Sequence, residues 1–554
     1  MFFDIRRQLQ ELLQKSLPSS GEAPVILIDI PADKAHGELS CNIALQLSRT
    51  LKKSPMAIAG DILQNLQQEL TLRPLKNFFS SIEIKQPGFI NFYLSPPGFY
   101  AILETVLNKK DDYGKSSEGA QMPFCLEFVS ANPTGPLTVA HGRQAAVGES
   151  LVNILKKVGY KAQKEYYVND EGNQINILGR SIYGRAKEIL GDQAEFLQDG
   201  YQGDYIRTIA KEFIKKYAIK TPAALDKIDS GQWRQFGIDY LMSMIKKDLE
   251  DFNVHFDIWS YQSKIATTEA IEEVLADFKT KGYIYENEGA WWFKSTQWGD
   301  DKDRVVKKSN GEYTYLAPDM VYHKDKFARG FKRIVDILGP DHHGYVARIK
   351  AAAAALGKSV DDLDVIIVQL ATIYRNGKPV SMSTRRGEFI SLREVMDEVG
   401  TDAARFFFLM RQTDAHLDFD LELAKKTSAE NPVYYIQYAH ARIHSIIRKA
   451  TDESYLTPKL KNFSMLKEAQ EMDLMRKIAL YPQVLLICAK QLDPFALVRY
   501  LQELAGCFHK FYDAHRVLDE NKELSRERLA LIEAARIILG DGLTLLGVSA
   551  PEKM

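Results

Sequence analysis

Residues 124–129 are an apolar, aromatic and β-branched run that Pro133, Gly135 and Pro136 bring to a stop. Proline has no N–H to give to a sheet ladder, so the strand ends there and a turn follows. From Val139 the residues favour a helix reaching about Lys157, and a second apolar segment at 163–168 closes a unit of about 45 residues. That length is what a crossover between two parallel strands requires. The unit predicts an α/β fold with a doubly wound, Rossmann-like parallel sheet. It also places free backbone N–H groups and a positive helix end at the carboxyl edge of the first strand, where a phosphate can sit. His141 stands at that helix mouth. Alone it reads equally as a helix-start residue with a satisfied ring.

A chain of 554 residues is too long for one core and should divide into about three or four domains. No stretch of 18 apolar residues occurs, and Asp4, Arg6 and Arg7 interrupt the first residues. The reading is a soluble cytoplasmic protein without a membrane span or secretory signal. Cys41, Cys125, Cys488 and Cys507 stand far apart, so neither a disulfide framework nor a structural metal site is indicated. A formal net charge of −1 argues against nucleic-acid binding unless the cations are segregated, as they are around Arg442, Arg448 and Lys449 and at Lys246-Lys247.

Residues 1–115 combine helical periodicity (Ile5, Leu9, Leu12, Leu13) with a strand-like stretch at 82–94, and read as a small α+β domain. Residues 116–390 alternate strands and helices, with a helix-rich insertion expected at about 175–290. Asn310-Gly311 predicts a hairpin between 304–308 and 312–316. Residues 391–425 connect to an expected helix bundle at 426–554, with helices including the AKKTSAE stretch at 424–430. Near 365–373 another apolar strand runs into RNGKPVSMSTRRGE, where Lys378, Arg385 and Arg386 cluster. Taken by itself this is a solvated basic loop.

Together, the segments around His141 and Met382, about 240 residues apart, resemble the paired His-x-Gly-His and Lys-Met-Ser-Lys-Ser signatures of class I aminoacyl-tRNA synthetases. YVNDEGNQI, GYQGDYI, DKDRVVKKSNGEYTYLAPDMVYH, GPDHHGYVARIKA and NPVYYIQYAHARIHSI narrow the likeness to arginyl-tRNA synthetases, over nearly the whole chain. Both short signatures are degenerate. Thr138 replaces the first histidine and Ala140 the glycine; Ser381 and Thr384 replace the two lysines.

The resemblance implies ATP-dependent ligation of L-arginine to the 3′ end of its cognate tRNA through an arginyl-adenylate, with Mg2+ accompanying ATP. It implies an elbow-binding N-terminal domain, a catalytic sheet with an insertion, and an anticodon-reading bundle, in a chain expected to be monomeric. By motif, Glu127 and Asp319 would hold the guanidinium, Tyr315 would pack beside it, and Asn132 and His342 would orient the backbone groups of the amino acid. Asn132, Thr138, Ala140, His141, Gly142 and Met382 would line the ATP site. With Thr138, His141 and Ser383, one of Lys378, Arg385 and Arg386 would supply the charge that the missing lysines do not. Glu127 by itself reads as a carboxylate within an apolar strand, open to a second reading as the buried partner of an internal cation. His342-His343 beside Asp341 looks like a metal cluster, but adjacent residues rarely share one ion. For tRNA, Phe89 and Asn91 align with D-loop contacts, and Tyr434, Tyr438, Arg442 and Met554 with anticodon contacts. Each is also readable as a strand or helix residue facing a core. Two alternatives stand beside this: a class I synthetase for another amino acid, and a non-catalytic tRNA-binding paralogue.

Overall fold

The computed structural model describes residues 2–18, 24–31, 33–71, 73–193, 199–380, 390–452, 455 and 463–554. The amino-terminal part comprises α1 (Phe2–Ser16), β1 (Ile28–Asp29), β2 (Leu39–Cys41), α2 (Ile43–Leu51), α3 (Pro55–Thr71), β3 (Phe79–Lys85), β4 (Phe89–Leu94) and α4 (Pro96–Lys109). Its strands form an antiparallel sheet in the order β1-β2-β4-β3. Ile5, Leu9, Leu12 and Leu13 of α1 share a core with Ile58 and Ile62 of α3 and with Ile90 and Phe92 of β4. The one strand-like stretch expected at 82–94 is instead a hairpin. Pro87 and Gly88, the latter at φ +145°, turn the chain between β3 and β4.

The central part runs β5 (Pro123–Glu127), α5 (Val139–Lys157), β6 (Lys161–Val168), α6 (Asn173–Ile189), α7 (Asp204–Lys216), α8 (Pro222–Leu225), α9 (Ser230–Asp251), β7 (Ile258–Tyr261), α10 (Gln262–Ile265), α11 (Thr268–Thr280), β8 (Ile284–Asn287), β9 (Ala290–Phe293), β10 (Arg304–Lys307), α12 (Leu316–Ala328), β11 (Arg333–Leu338), α13 (Val346–Ala355) and β12 (Leu363–Ile367). Five strands, in the order β12-β11-β5-β6-β7, pair in parallel throughout. Strand order reverses between β5 and β11, the switch point where a doubly wound sheet opens a crevice at its carboxyl edge. The helix-rich stretch ends sooner than its composition suggests. After α9 the chain returns to the main sheet as β7, and β8, β9 and β10 form a separate antiparallel sheet. The Asn310-Gly311 turn is present, but its return arm is a single bridge, Lys307 to Tyr313, because α12 begins at Leu316.

Residues 363–375 hold two strands rather than one: β12 in the main sheet and β13 (Ala371–Arg375) in a small sheet ordered β14-β13-β15, with β14 (Lys378–Pro379) and β15 (Leu417–Asp420). Around it lie α14 (Leu392–Val399), α15 (Thr401–Phe408) and α16 (Leu421–Ala424). Past Ala424, the last residue of α16, AKKTSAE is not helical. The Asn431 carboxamide donates to the carbonyls of Ala424 and Lys426 and accepts from the N–H of Val433, which ends one helix and starts the next. The bundle is α17 (Pro432–Asp452), α18 (Ala469–Ala479), α19 (Tyr481–Gln491), α20 (Phe495–Ala514) and α21 (Lys522–Leu545). Arg405 of α15 fastens it to the rest. This fully buried guanidinium donates to Leu546 O at the end of α21 (3.0 Å) and to Phe252 O at the end of α9 (2.6 Å), where helix carbonyls lack partners of their own.

Candidate active site

At the switch point lies a cleft of about 910 Å³, bordered by the ends of β5, β6 and β11, the mouth of α5 and one face of α12. Past Glu127, Val129 (φ +68°) and Ser130 (φ +36°) take the left-handed backbone that swings the chain out of the strand. Thr138 then caps α5. Its side chain accepts from the backbone of His141, and the Thr138 N–H donates to His141 Nδ1 at 3.1 Å. With Nδ1 an acceptor, the ring hydrogen sits on Nε2, which is free to donate. Burial pushes the His141 imidazole down to about 4, against the opposing pull of Asp341, so it is neutral at physiological pH.

The opposite wall is acidic. Glu127 and Asp336 are register partners on adjacent parallel strands and both are buried. Between them comes Lys326 of α12, wholly buried, bonded to Glu127 Oε2 and to Asp336 Oδ1 (2.8 Å). The second reading of Glu127, a partner for an internal cation, is therefore also realised: its other oxygen accepts from Ser130 Oγ at 2.9 Å. Asp319, Tyr322, His323 and Lys326 recur at three- and four-residue spacing, which puts them on one face of α12. His323 Nε2 meets Asp336 Oδ2 and its Nδ1 meets the Asp319 carbonyl, both at 2.9 Å. Asp319 takes a hydrogen bond from the Tyr345 hydroxyl. Burial raises the Glu127 and Asp319 carboxyls, whereas for Asp336 the burial penalty is outweighed by Lys326 and His323, and its carboxyl is held well below the usual range.

Glu127, Asn132, Thr138, Ala140, His141, Tyr315, Asp319 and His342 all line this cleft. Asn132 donates to Gln174 (2.8 Å), and Tyr315, 67% exposed, lies at the rim rather than packed inside. Gly142 requires a correction: it does not line the cleft. A Cβ there would stand 2.7 Å from Leu392 and 3.0 Å from Phe408, so the missing side chain lets α5 approach α14 and α15. Among the described residues no group of three His, Cys, Asp or Glu is close enough to hold a metal ion, and His342 faces Asp341 at 3.5 Å. Lys378 is exposed on β14 and outside the cleft lining, while Met382, Ser383, Arg385 and Arg386 lie outside the described residues. The chain nevertheless comes back to the signature helix. Ser391 bridges Thr138, and Leu392 N donates to Leu137 O at 2.8 Å.

Several residues here had no sequence signal. Arg143, two positions past His141, is fully buried and donates to the carbonyls of Gln369, Gln412 and Ala415 at 2.7–2.9 Å, tying the signature helix to the small sheet. His323 closes the DKDRVVKKSNGEYTYLAPDMVYH stretch and Lys326 lies three residues past it; their spacing from Asp319 is the only hint they gave. Among the tRNA candidates, Phe89 is half-buried on β4, but Asn91 is interior: it is 1% exposed and accepts from Ser40 Oγ at 2.7 Å. Strand faces alternate, so Asn91 lies on the face of β4 opposite to Ile90 and Phe92, where Ser40 of β2 is its register partner. Tyr434 and Tyr438 stack at 6.3 Å with planes 8° apart, and His509 of α20 extends the stack 6.0 Å from Tyr438. Arg442 donates to the Tyr512 hydroxyl, and Met554 is exposed.

Three family models match the chain: the arginyl tRNA synthetase N terminal domain over residues 4–94, the class I (R) tRNA synthetase catalytic domain over 102–446, and the DALR anticodon binding domain over 436–554. The arginine–tRNA ligase of Geobacter sp. (strain M21) is 44% identical over 539 residues, 97% of this chain and 96% of that one. That of Syntrophotalea carbinolica is 44% identical over 552 residues, 99% of each. The solved arginyl-tRNA synthetase of Thermus thermophilus, at 21% identity, shares the fold with a TM-score of 0.78 over 99% of this chain and all of its own. The parallel sheet, the acid-walled cleft at its switch point and these full-length likenesses place the chain in the arginyl-tRNA synthetase family of class I.

Proposed function

We infer that this chain ligates L-arginine to the 3′ end of its cognate tRNA, using ATP, forming arginyl-adenylate and releasing pyrophosphate and then AMP. The observation that carries this reading is the pair Glu127 and Asp319 facing one cleft at the sheet's carboxyl edge. A guanidinium presents five donors in a fixed fork and stays charged, so two carboxylates set apart can hold it where a single ammonium would leave one unpaired. Lysine is thereby rejected along with neutral side chains. Glu127 keeps acceptor capacity beyond its bonds to Ser130 and Lys326, since an ionised carboxylate has about four lone-pair sites. Asn132 and His342 orient the α-amino and carboxylate groups, and Tyr315 closes the rim.

ATP lies along the mouth of α5. The Nε2–H of His141 donates to a phosphate, the end of the helix adds its N–H groups, and Ala140 borders the base. Thr138 holds the His141 ring in that tautomer. The reaction needs alignment and charge more than covalent participation. With both signature lysines replaced, Arg385, Arg386 or Lys378 supplies charge to the departing pyrophosphate beside Met382 and Ser383. Alanine at each of the three in turn tests this: rates of adenylate formation all within about twofold of the parent would refute it. Mg2+ enters on the phosphates of ATP with its own waters, as that ion prefers, rather than in a protein cage.

Residues 1–115 meet the tRNA elbow with Phe89, 116–390 carry catalysis, 391–425 connect, and 426–554 read the anticodon with Tyr434, Tyr438, Arg442 and Met554. The protein works as a monomer in the cytoplasm. Arginine-dependent ATP–pyrophosphate exchange, run with and without cognate tRNA and with lysine as control, tests the assignment. Exchange with arginine alone among the amino acids supports it. No exchange in any condition, with tRNA still bound, would make the chain a binding paralogue.

A further inference from the structure

The acid wall contains more charge than substrate recognition uses. Facing one another are Glu127 on β5, Asp336 on β11 and Asp319, His323 and Lys326 on α12. Most of the remaining polar neighbours are already settled, though the buried Tyr322 hydroxyl has no hydrogen-bond partner among the described residues. Glu165 of β6 is paired with Arg329 at 2.8 and 2.9 Å, Cys125 donates its thiol hydrogen to Glu165, and Tyr345 and Tyr167 donate to Asp319 and Gln262. The Tyr322 ring carries the Lys326 ammonium 4.3 Å from its centre.

His323 is the informative member. Both its ring nitrogens lie 2.9 Å from oxygens that can only accept, the Asp319 carbonyl and the Asp336 carboxylate. Both nitrogens must therefore carry hydrogens, which makes the ring an imidazolium. The electrostatics agree: burial works against the charged ring, but Asp336 outweighs it and His323 is raised above its ordinary value. The cluster then holds three carboxylates against two cations, with one negative charge uncompensated.

We propose that Lys326 and His323 are specificity-determining residues that fix the charge of the arginine pocket, cancelling two of its three carboxylates so that one singly cationic side chain completes neutrality. The proposal rests on the reading that Glu127 and Asp319 receive the guanidinium. Without Lys326, Glu127 and Asp336 would face each other across neighbouring strands, and the empty pocket would take up a proton that arginine must displace. With Asp336 neutralised to an amide whose oxygen still accepts from His323, so that the ring keeps its proton, attraction for the guanidinium would fall. Removing both together restores the balance.

The test is the arginine KM in tRNA-supported ATP–pyrophosphate exchange by the full chain, for Lys326→Met, Asp336→Asn and the double variant, across pH 6 to 8. Each single variant is expected to raise KM roughly tenfold or more. The double variant is expected to return to within about threefold of the parent, a non-additivity that contact loss alone does not give. Lys326→Met alone should also show a KM that falls as pH rises. Losses that add in the double variant, or single variants without effect, would overturn the proposal. If Lys326→Met does not fold, the return of the double variant relative to Asp336→Asn carries the test. Glu127→Gln and Asp319→Asn serve as separate controls: if neither weakens arginine, the pocket reading itself fails, whatever the Lys326 series shows.

Discussion

The two ends of the cleft are built differently. At the acid end Glu127, Asp336, His323 and Lys326 are all buried, and each is bonded to at least two others of the molecule's own groups. They stand on strand ends and one helix face, elements that hold a side chain's position closely. At the end proposed for the nucleotide His141 is held at one ring nitrogen, by the N–H and hydroxyl of Thr138, His342 is about half exposed, and Lys378 stands outside the cleft on a two-residue strand. The difference teaches where rigidity is placed. On the proposed function, side-chain choice depends on a preset charge pattern, whereas a triphosphate brings its own charge and cation and is met by helix-end donors and loop residues.

The comparison can be broken most forcefully at Asp319. Asp319→Asn should cost about 2–5 kcal/mol in kcat/KM for arginine, because a guanidinium loses one carboxylate in a water-poor site. Steady-state exchange kinetics measure this, and the KM for ATP should hardly move. His141→Ala should act at the other end, lowering kcat by roughly 10²–10³-fold through loss of one phosphate donor while the arginine KM is kept. A pH titration sharpens that assignment. The imidazole is pushed down to about 4, so its NMR midpoint should fall near 4 and its protonation should add no inflection to kcat near neutrality. The unfolded ring takes its proton at about 6.5, above the folded value, so this residue's contribution to stability is present above that pH and is lost as pH falls toward 4.

Gly142→Ala separates packing from nucleotide binding. Its methyl would press on Leu392 and Phe408, which should lower unfolding stability by about 1–3 kcal/mol in denaturant titration, with the KM for ATP unchanged in the folded fraction. Tyr438→Ala lies far from both ends in the chain and should weaken tRNA binding by about 1–3 kcal/mol while arginine kinetics without tRNA turnover stay as they were. Filter binding against exchange distinguishes the two.

Local signals in the sequence were read well where one physical rule dominated. The strand expected at 124–129 is present as β5, although it ends at Glu127, where Val129 and Ser130 turn the chain ahead of Pro133, Gly135 and Pro136, and the helix that follows spans Val139–Lys157 as its composition implied. Glu127 stood out because a carboxylate interrupts an apolar strand. Its partner Lys326 lies 199 residues away, and no periodicity connects the two; only the pairing of β5 with β11 does. The same limit explains the misreadings. Gly142 looks like a nucleotide-approach glycine until α14 and α15, supplied from 250 residues further on, are seen against it. Asn91 reads equally as a tRNA contact or as a strand residue facing a core, and Ser40, bonded to it across the sheet, puts it inside. In 363–375 Gln369 is a weak interruption of a largely apolar run, and what splits it is the choice of two different sheets, which composition does not encode.

The most direct test of the account is aminoacylation of cognate tRNA by the full chain with arginine set against citrulline, its neutral near-isostere. A pocket left with one uncompensated negative charge predicts arginyl-tRNA formation and no detectable product from citrulline, a side chain that cannot complete the charge pattern. Comparable charging with both, or with neither while tRNA binding persists, would contradict it.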